Sequence, residues 1–144
     1  MTSAKVLLVL HGALSVALLG AAVHNGVLSV RLLLGLGVNR RLQRLYPRLV
    51  LWMYIPNFVL GAALYPTFRV DVRAGGLDAS FPWAVAAFEL KEHALVLGLL
   101  TVAAQVWLTR DGAYRAAGWC GLIVAAVVVY GGLTGLTLSA LRPV

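Results

Sequence analysis

Residues 6–23 read VLLVLHGALSVALLGAAV, a continuous apolar stretch in which His11 is the only ionisable side chain. Apolar stretches of about 18 residues or more with few charges are typical of helices that span a lipid bilayer. The apolar character continues with few interruptions to about Leu34. The beginning of the chain therefore predicts a membrane-spanning helix over residues 6–34.

The composition of the whole chain supports the same environment. Of its 144 residues, 61% are hydrophobic and only 12% are charged, whereas soluble domains carry about 25% charged residues. Lipid is therefore the expected solvent for most of the surface. The formal net charge is +7, but the basic residues lie mostly between apolar segments. We interpret them as determinants of topology and lipid contact, and nucleic-acid binding is not expected.

Three more apolar segments follow the first. They predict helices over about residues 49–65, 82–109 and 116–141, with a kink at Pro56 in the second. The whole chain, residues 1–144, then forms a single transmembrane domain. The expected fold class is all-α: an integral membrane four-helix bundle.

The connections between these helices set the expected orientation. Loops are predicted over residues 37–48 and 67–81, with a tight turn at residues 110–112. Seven basic residues flank the first and third connections: Arg31, Arg40, Arg41, Arg44, Arg48, Arg110 and Arg115. Four lie on the opposite side: Lys5, Arg69, Arg73 and Arg142. The positive-inside rule then predicts that both termini face outward, N-out/C-out. A composition rich in Ala, Leu, Val, Gly and Arg fits a bacterial inner (plasma) membrane.

The third helix carries four ionisable residues within one and a half turns: Glu89, Lys91, Glu92 and His93. Charges at membrane depth cost about 2.5–3.5 kcal/mol each on insertion scales, so they persist where they are paired, interfacial or functional. Glu89, Glu92 and His93 share one face, and Lys91 points roughly the other way. If the helix enters the bilayer at its first residue, His93 lies roughly 15 Å deep. In the alternative, the helix enters near Ala87 and the charges lie among the headgroups.

The first helix carries a stripe of small and polar residues on one face: His11, Ser15, Ala22, Asn25 and Ser29. Such residues in a membrane helix face other helices. His11 is expected in the same half of the membrane as the ionisable residues of the third helix.

The second and fourth helices bring polar side chains to that level. Asn57, Tyr130 and Thr134 are expected to support the site together with Ser15. The outer half of the bundle would thus gather two histidines, two carboxylates and several hydroxyl groups, and the inner half much less.

Three functions suit this arrangement. His11 and His93 could ligate the iron of haem b from two helices, while Glu89 and Glu92 handle protons or propionate groups. Alternatively, Glu89, Glu92 and His93 could bind a metal ion or relay protons in a transporter, and Lys91 could take part in handling protons or ions. In the third possibility the protein is a structural subunit, and these charges pair with other membrane subunits or with another copy of the chain.

Two features of the first half of the chain carry a family resemblance. Residues 5–11, KVLLVLH, open the first helix with an early histidine, and RLQR at 41–44 precedes Pro47 and Pro56. With Lys91, these features resemble copper-resistance-D-like membrane proteins, a group that includes the membrane-bound, haem-containing protoporphyrinogen oxidase.

The resemblance has consequences for two residues. It implies that His11 is a haem ligand and that Lys91 is a functional residue of the third helix. Glu89, Glu92 and His93 have no counterpart in that pattern.

Overall fold

The computed structural model describes residues 3–141, and this part of the chain is helical, without strands. Six helical elements follow one another: α1 (Ser3–Leu33), α2 (Arg40–Thr67), a π-helical segment (Phe68–Leu77), the single turn α3 (Asp78–Ser80), α4 (Pro82–Arg110) and α5 (Tyr114–Leu141). Four of these elements are long, which agrees with the four helices expected from the apolar segments.

The four long helices form a closed ring of neighbours. α1 packs against α2 and α5, and α4 packs against the same two helices on the opposite side. Small and β-branched side chains fill the centre, where they let the helices approach closely. The largest fully buried side chain in the central core is that of Tyr54, whose hydroxyl donates a 2.9 Å hydrogen bond to the Leu95 carbonyl.

The surface of the bundle is apolar along most of its length. α1, α2 and α5 are each long and apolar enough to cross a membrane, and only 11%, 11% and 22% of their most apolar stretches are buried within the protein. Water is a poor solvent for such a surface, whereas hydrocarbon is a good one. The structure therefore has three candidate membrane-spanning helices, consistent with a multi-pass membrane protein.

The first connection is shorter than the sequence predicts. α2 begins at Arg40 rather than near residue 49, so most of the predicted loop over residues 37–48 is helical. Asn39 caps this helix, because its side chain accepts a 2.8 Å hydrogen bond from the Arg41 backbone N–H. Arg, Leu and Gln are good helix formers, and a cap of this kind stabilises a helix start.

α2 is also longer than predicted at its other end. It continues through Pro56 and Pro66 to Thr67, although the expected end was at residue 65. Proline removes one backbone donor, and helices in membranes tolerate this loss where neighbouring groups satisfy the freed carbonyl.

The predicted long loop over residues 67–81 is mostly helical as well. Its chain direction changes at Gly76, whose φ of 112° favours glycine. Leu77 is fully buried against the first turns of α4, and the Phe68 ring stacks on that of Phe88 with centroids 4.3 Å apart. Burial of these apolar side chains explains why the segment folds onto the bundle.

The predicted stripe on the first helix is confirmed. Ala22, Asn25 and Ser29 are 0%, 2% and 4% exposed, while His11 and Ser15 are half-buried. All five face the other helices, as small and polar residues in a membrane helix should.

Candidate functional site

The site is built around the imidazole of His11, near the beginning of α1. The ring lies against Gly61 of α2, where a Cβ atom would come within 3.3 Å of the ring carbon Cε1. The absence of a side chain at position 61 thus leaves room for the ring. Nδ1 of His11 is buried and makes no hydrogen bond of good geometry in the described part of the chain, although the backbone of Asn57 lies near the ring. Buried polar atoms without a partner are rare, and each is a candidate for a functional role.

A hydrogen bond fixes α1 against α2 one turn below the histidine. Ser15 Oγ donates to Asn57 Oδ1 at 3.0 Å, and both side chains are half-buried. Ser15 and Asn57 were expected to support the site, and the structure brings them together.

α4 contributes an ion pair to the same region. Lys91 Nζ lies 3.1 Å from Glu92 Oε1, and the Lys91 side chain is only 13% exposed. The ammonium group also lies 4.2 Å from the centroid of the Phe88 ring, which adds a cation–π attraction. We call His11, Ser15, Asn57, Lys91 and Glu92 the His11 cluster.

The ion pair lies close to the histidine. Both Lys91 and Glu92 lie close enough for their charges to act on the His11 imidazole. The aliphatic stem of Lys91 runs along α5, where a Cβ at Gly131 would lie 3.8 Å from its Cγ atom. The cluster thus combines a cation, an anion and an imidazole with a buried ring nitrogen between the helices of the bundle.

The structure separates Glu89 from this cluster. Glu89 Oε1 lies 3.1 Å from Arg73 Nη1, and Arg73 Nε also contacts Asp78 Oδ1 at 3.1 Å. The hydrogen bond to Asp78, together with both negative charges, raises the pKa of the Arg73 guanidinium. Glu89 is 55% exposed on its side chain. Its role in the structure is therefore to tie the segment after α2 to the start of α4.

His93 also points away from the centre of the bundle. It is exposed, and its Nδ1 is hydrogen-bonded to the Glu89 carbonyl oxygen of the same helix at 2.7 Å. His11, in contrast, is half-buried against α2. The ligation of haem by the two rings, and haem binding itself, stay predictions.

The face of α4 that turns inward is the one that carries Lys91. Gly98 and Gln105 follow it at intervals of one heptad, and both are buried. The sequence spacing correctly groups Glu89 and His93 on one face, but that face is exposed. Glu92 lies between the two faces and joins the cluster.

The supporting residues of α5 have different roles. Tyr130 donates a 2.9 Å hydrogen bond to the Ala87 carbonyl, which fixes α5 against the start of α4. Thr134 is 7% exposed and lies one turn further along α5. Neither residue is in the His11 cluster.

A second polar layer lies in the other half of the bundle, where sequence reasoning expects little. Asn25 Nδ2 donates to Gln105 Oε1 at 2.9 Å, and Gln105 Nε2 donates to Asn25 Oδ1 at 3.1 Å. This reciprocal amide pair joins α1 to α4 across the centre. The pattern that could have revealed it is the heptad spacing of Gln105 from Lys91 and Gly98.

Two further observations concern metal-binding groups and similarity to known proteins. Among the residues that the structure describes, no group of three or more His, Cys, Asp or Glu side chains is placed to hold a metal ion. Comparisons of the chain with protein-family models, curated proteins and solved structures give no match. The resemblance to copper-resistance-D-like proteins therefore stays a prediction.

Proposed function

We propose that this chain is a small multi-pass membrane protein that moves protons, with His11 as the group that takes up and releases the proton. The observation that carries the proposal is the buried Nδ1 atom of His11, which makes no hydrogen bond of good geometry in the described part of the chain. Histidine changes its charge near neutral pH more readily than any other side chain. Ionisable groups inside a membrane bundle are commonly parts of proton or ion pathways.

The surroundings of His11 suit a reversible proton transfer. A neutral imidazole has one nitrogen that can accept a proton, and the imidazolium that forms donates through both nitrogens. Lys91 and Glu92 place one positive and one negative charge near the ring. The ion pair between them at 3.1 Å can open as His11 becomes charged, with Glu92 then free to interact with the imidazolium.

The same proposal requires that α4 also crosses the membrane. Exposed tryptophans lie near both of its ends, Trp83 and Trp107, and the helical rise separates them by about 36 Å. This length matches a bilayer core of about 30 Å with an aromatic belt on each side. We accordingly propose a four-helix bundle with both termini outside, in a bacterial inner membrane.

Proton movement can be measured with the purified protein in liposomes that contain a pH-sensitive dye. A pH step is applied outside, and valinomycin with potassium removes any opposing voltage. We expect wild-type protein to equilibrate the internal pH faster than protein-free liposomes. His11→Gln should return the rate to that of protein-free liposomes, because glutamine keeps a polar side chain but cannot titrate.

His24→Gln provides the matched control. His24 lies on the same helix but is exposed, and its ring stacks on Tyr46 with centroids 4.9 Å apart. This variant should conduct like the wild type. Equal rates for wild-type protein and protein-free liposomes, or for the His11→Gln and wild-type proteins, would contradict the proposal.

A further inference from the structure

A strongly basic groove lies at the end of the bundle where α2 begins. It has a volume of about 480 Å³ and is lined by Arg40, Arg41, Arg44, Leu45 and Arg48. We call it the arginine groove. The four arginines are spaced along about 12 Å of α2, as the helical rise gives for residues 40–48.

Among the residues that the structure describes, these arginines have no acidic partner. In the described part of the chain, none of the four forms an ion pair with a carboxylate, although Arg73 at the other end of α2 contacts two. The groove also lies at the N-terminal end of α2, where the helix dipole favours negative charge. Its electrostatic complement is therefore an anion with more than one charge.

Tyr114, the first residue of α5, orients two of the arginines. The Arg40 guanidinium carbon lies 4.0 Å from the centroid of the Tyr114 ring, and Arg44 Nη2 donates a 3.3 Å hydrogen bond to the Tyr114 hydroxyl. Arg41 and Arg48 make no such contact with Tyr114 and remain exposed. The groove thus has two oriented guanidinium groups and two that are free to close on a ligand.

The level of the groove points to the membrane interface. Three exposed tryptophans lie near this end of the bundle: Trp52 follows Arg48 by four residues in α2, Trp107 lies in the last turn of α4, and Trp119 lies in the second turn of α5. Tryptophan is enriched where hydrocarbon meets headgroups. Leu45, which is 50% exposed, lines the groove among the arginines. A ligand that carries both phosphate and hydrocarbon matches this lining better than a soluble anion does.

We propose that the arginine groove binds the headgroup of an anionic phospholipid with two phosphates. Guanidinium groups bind phosphate through paired hydrogen bonds, and clusters of about four to eight basic residues at the cytoplasmic end of a membrane helix bind anionic headgroups. Four arginines along 12 Å of helix, by its rise, can contact two phosphates at once. The proposal is independent of proton movement at His11, because the two sites share no residue.

Native mass spectrometry of the full chain in detergent tests the proposal. The protein is titrated with diphosphatidylglycerol, phosphatidylglycerol or phosphatidylcholine. We expect the affinity to be highest for the lipid with two phosphates and lowest for the zwitterionic one. The double variant Arg41→Gln/Arg48→Gln should lower the affinity for diphosphatidylglycerol by about thirtyfold, since both arginines contribute at the surface.

The matched control is Arg31→Gln/Arg110→Gln. It removes the same charge from the same end of the bundle but leaves the groove intact, and it should bind diphosphatidylglycerol nearly as well as the wild type. Equal losses in the two double variants would show non-specific attraction and overturn the proposal. Inorganic pyrophosphate is the third arm: if it displaces the lipid at comparable concentration, the ligand is a soluble diphosphate and the lipid assignment is wrong.

Discussion

Gly121 of α5 is a glycine at which an added side chain would disturb the buried polar layer. A Cβ atom at this position would collide with Ser29 Oγ and would lie 2.6 Å from Gln105 Nε2. Both groups are part of the buried polar layer around Asn25. The glycine thus allows α5 to approach the amide pair that joins α1 and α4.

Gly121→Ala should therefore destabilise the bundle. Overpacking of a core typically costs about 1–3 kcal/mol, which exceeds the gain of about 0.5–1 kcal/mol from the better helix propensity of alanine. Thermal unfolding of the detergent-solubilised protein should show a lower midpoint than the wild type.

Gly135→Ala on the same helix is the control, because a Cβ there would meet nothing within 4 Å. Its midpoint should equal or slightly exceed that of the wild type. A lower midpoint for Gly135→Ala than for Gly121→Ala would contradict the packing described here.

The candidate site could be predicted in part from individual residues. His11 and its polar stripe are evident from sequence because a helical period places them on one face. Lys91 and Glu92 stand out because charges are rare in apolar segments. The pairing of Glu89 with Arg73 could not be predicted, because it depends on how the segment after α2 folds back. Gly61 carries no sequence signal for its contact with His11.

At the level of the helices, the apolar segments of the sequence predict the number and order of the long helices well. They predict the first and last residues of these helices poorly. The sequence places the second helix at residues 49–65, whereas α2 covers Arg40–Thr67. Hydropathy ends a segment at its last apolar residue, but backbone hydrogen bonding continues into the polar residues that flank it. The arginines before residue 49 belong to α2 for this reason, and the arginine groove exists because they are helical.

The segment after α2 is a second case in which local signals mislead. Gly76 and the neighbouring polar residues favour a loop, and the chain does turn there. Leu77 nevertheless becomes fully buried, because α4 and α5 together provide an apolar surface that includes Phe88 and Leu138. Such packing between distant parts of the chain is not visible in a local pattern.

For the bundle as a whole, the proposed topology makes a direct prediction about accessibility. Single cysteines are introduced at Ser80 and Asn39 in a Cys120→Ser background and are labelled in intact cells with a membrane-impermeant thiol reagent. Both positions are exposed. Position 80 should react from outside, and position 39 should react only after the cells are opened.

Position 113 gives the test of the fourth span. Ala113 is exposed in the connection between α4 and α5, so a cysteine there should behave like the one at position 39. Labelling of positions 80 and 113 from the same side would show that α4 does not cross the membrane. The reverse pattern at all three positions would keep the four spans but invert the orientation.

Proton movement through His11 requires that this side chain gain and lose a proton while the protein is in a bilayer. Protein labelled with ¹⁵N at its histidines is reconstituted in lipid, and the imidazole signals are followed against pH by solid-state NMR, with His24→Gln and His93→Gln for assignment. We expect His11 to change reversibly between its neutral and charged forms. We also expect Lys91→Met, which removes the neighbouring ammonium charge, to move the titration midpoint of His11. A His11 signal that stays in one form at every pH, or a His11 titration midpoint that is insensitive to Lys91→Met, would contradict proton movement through His11.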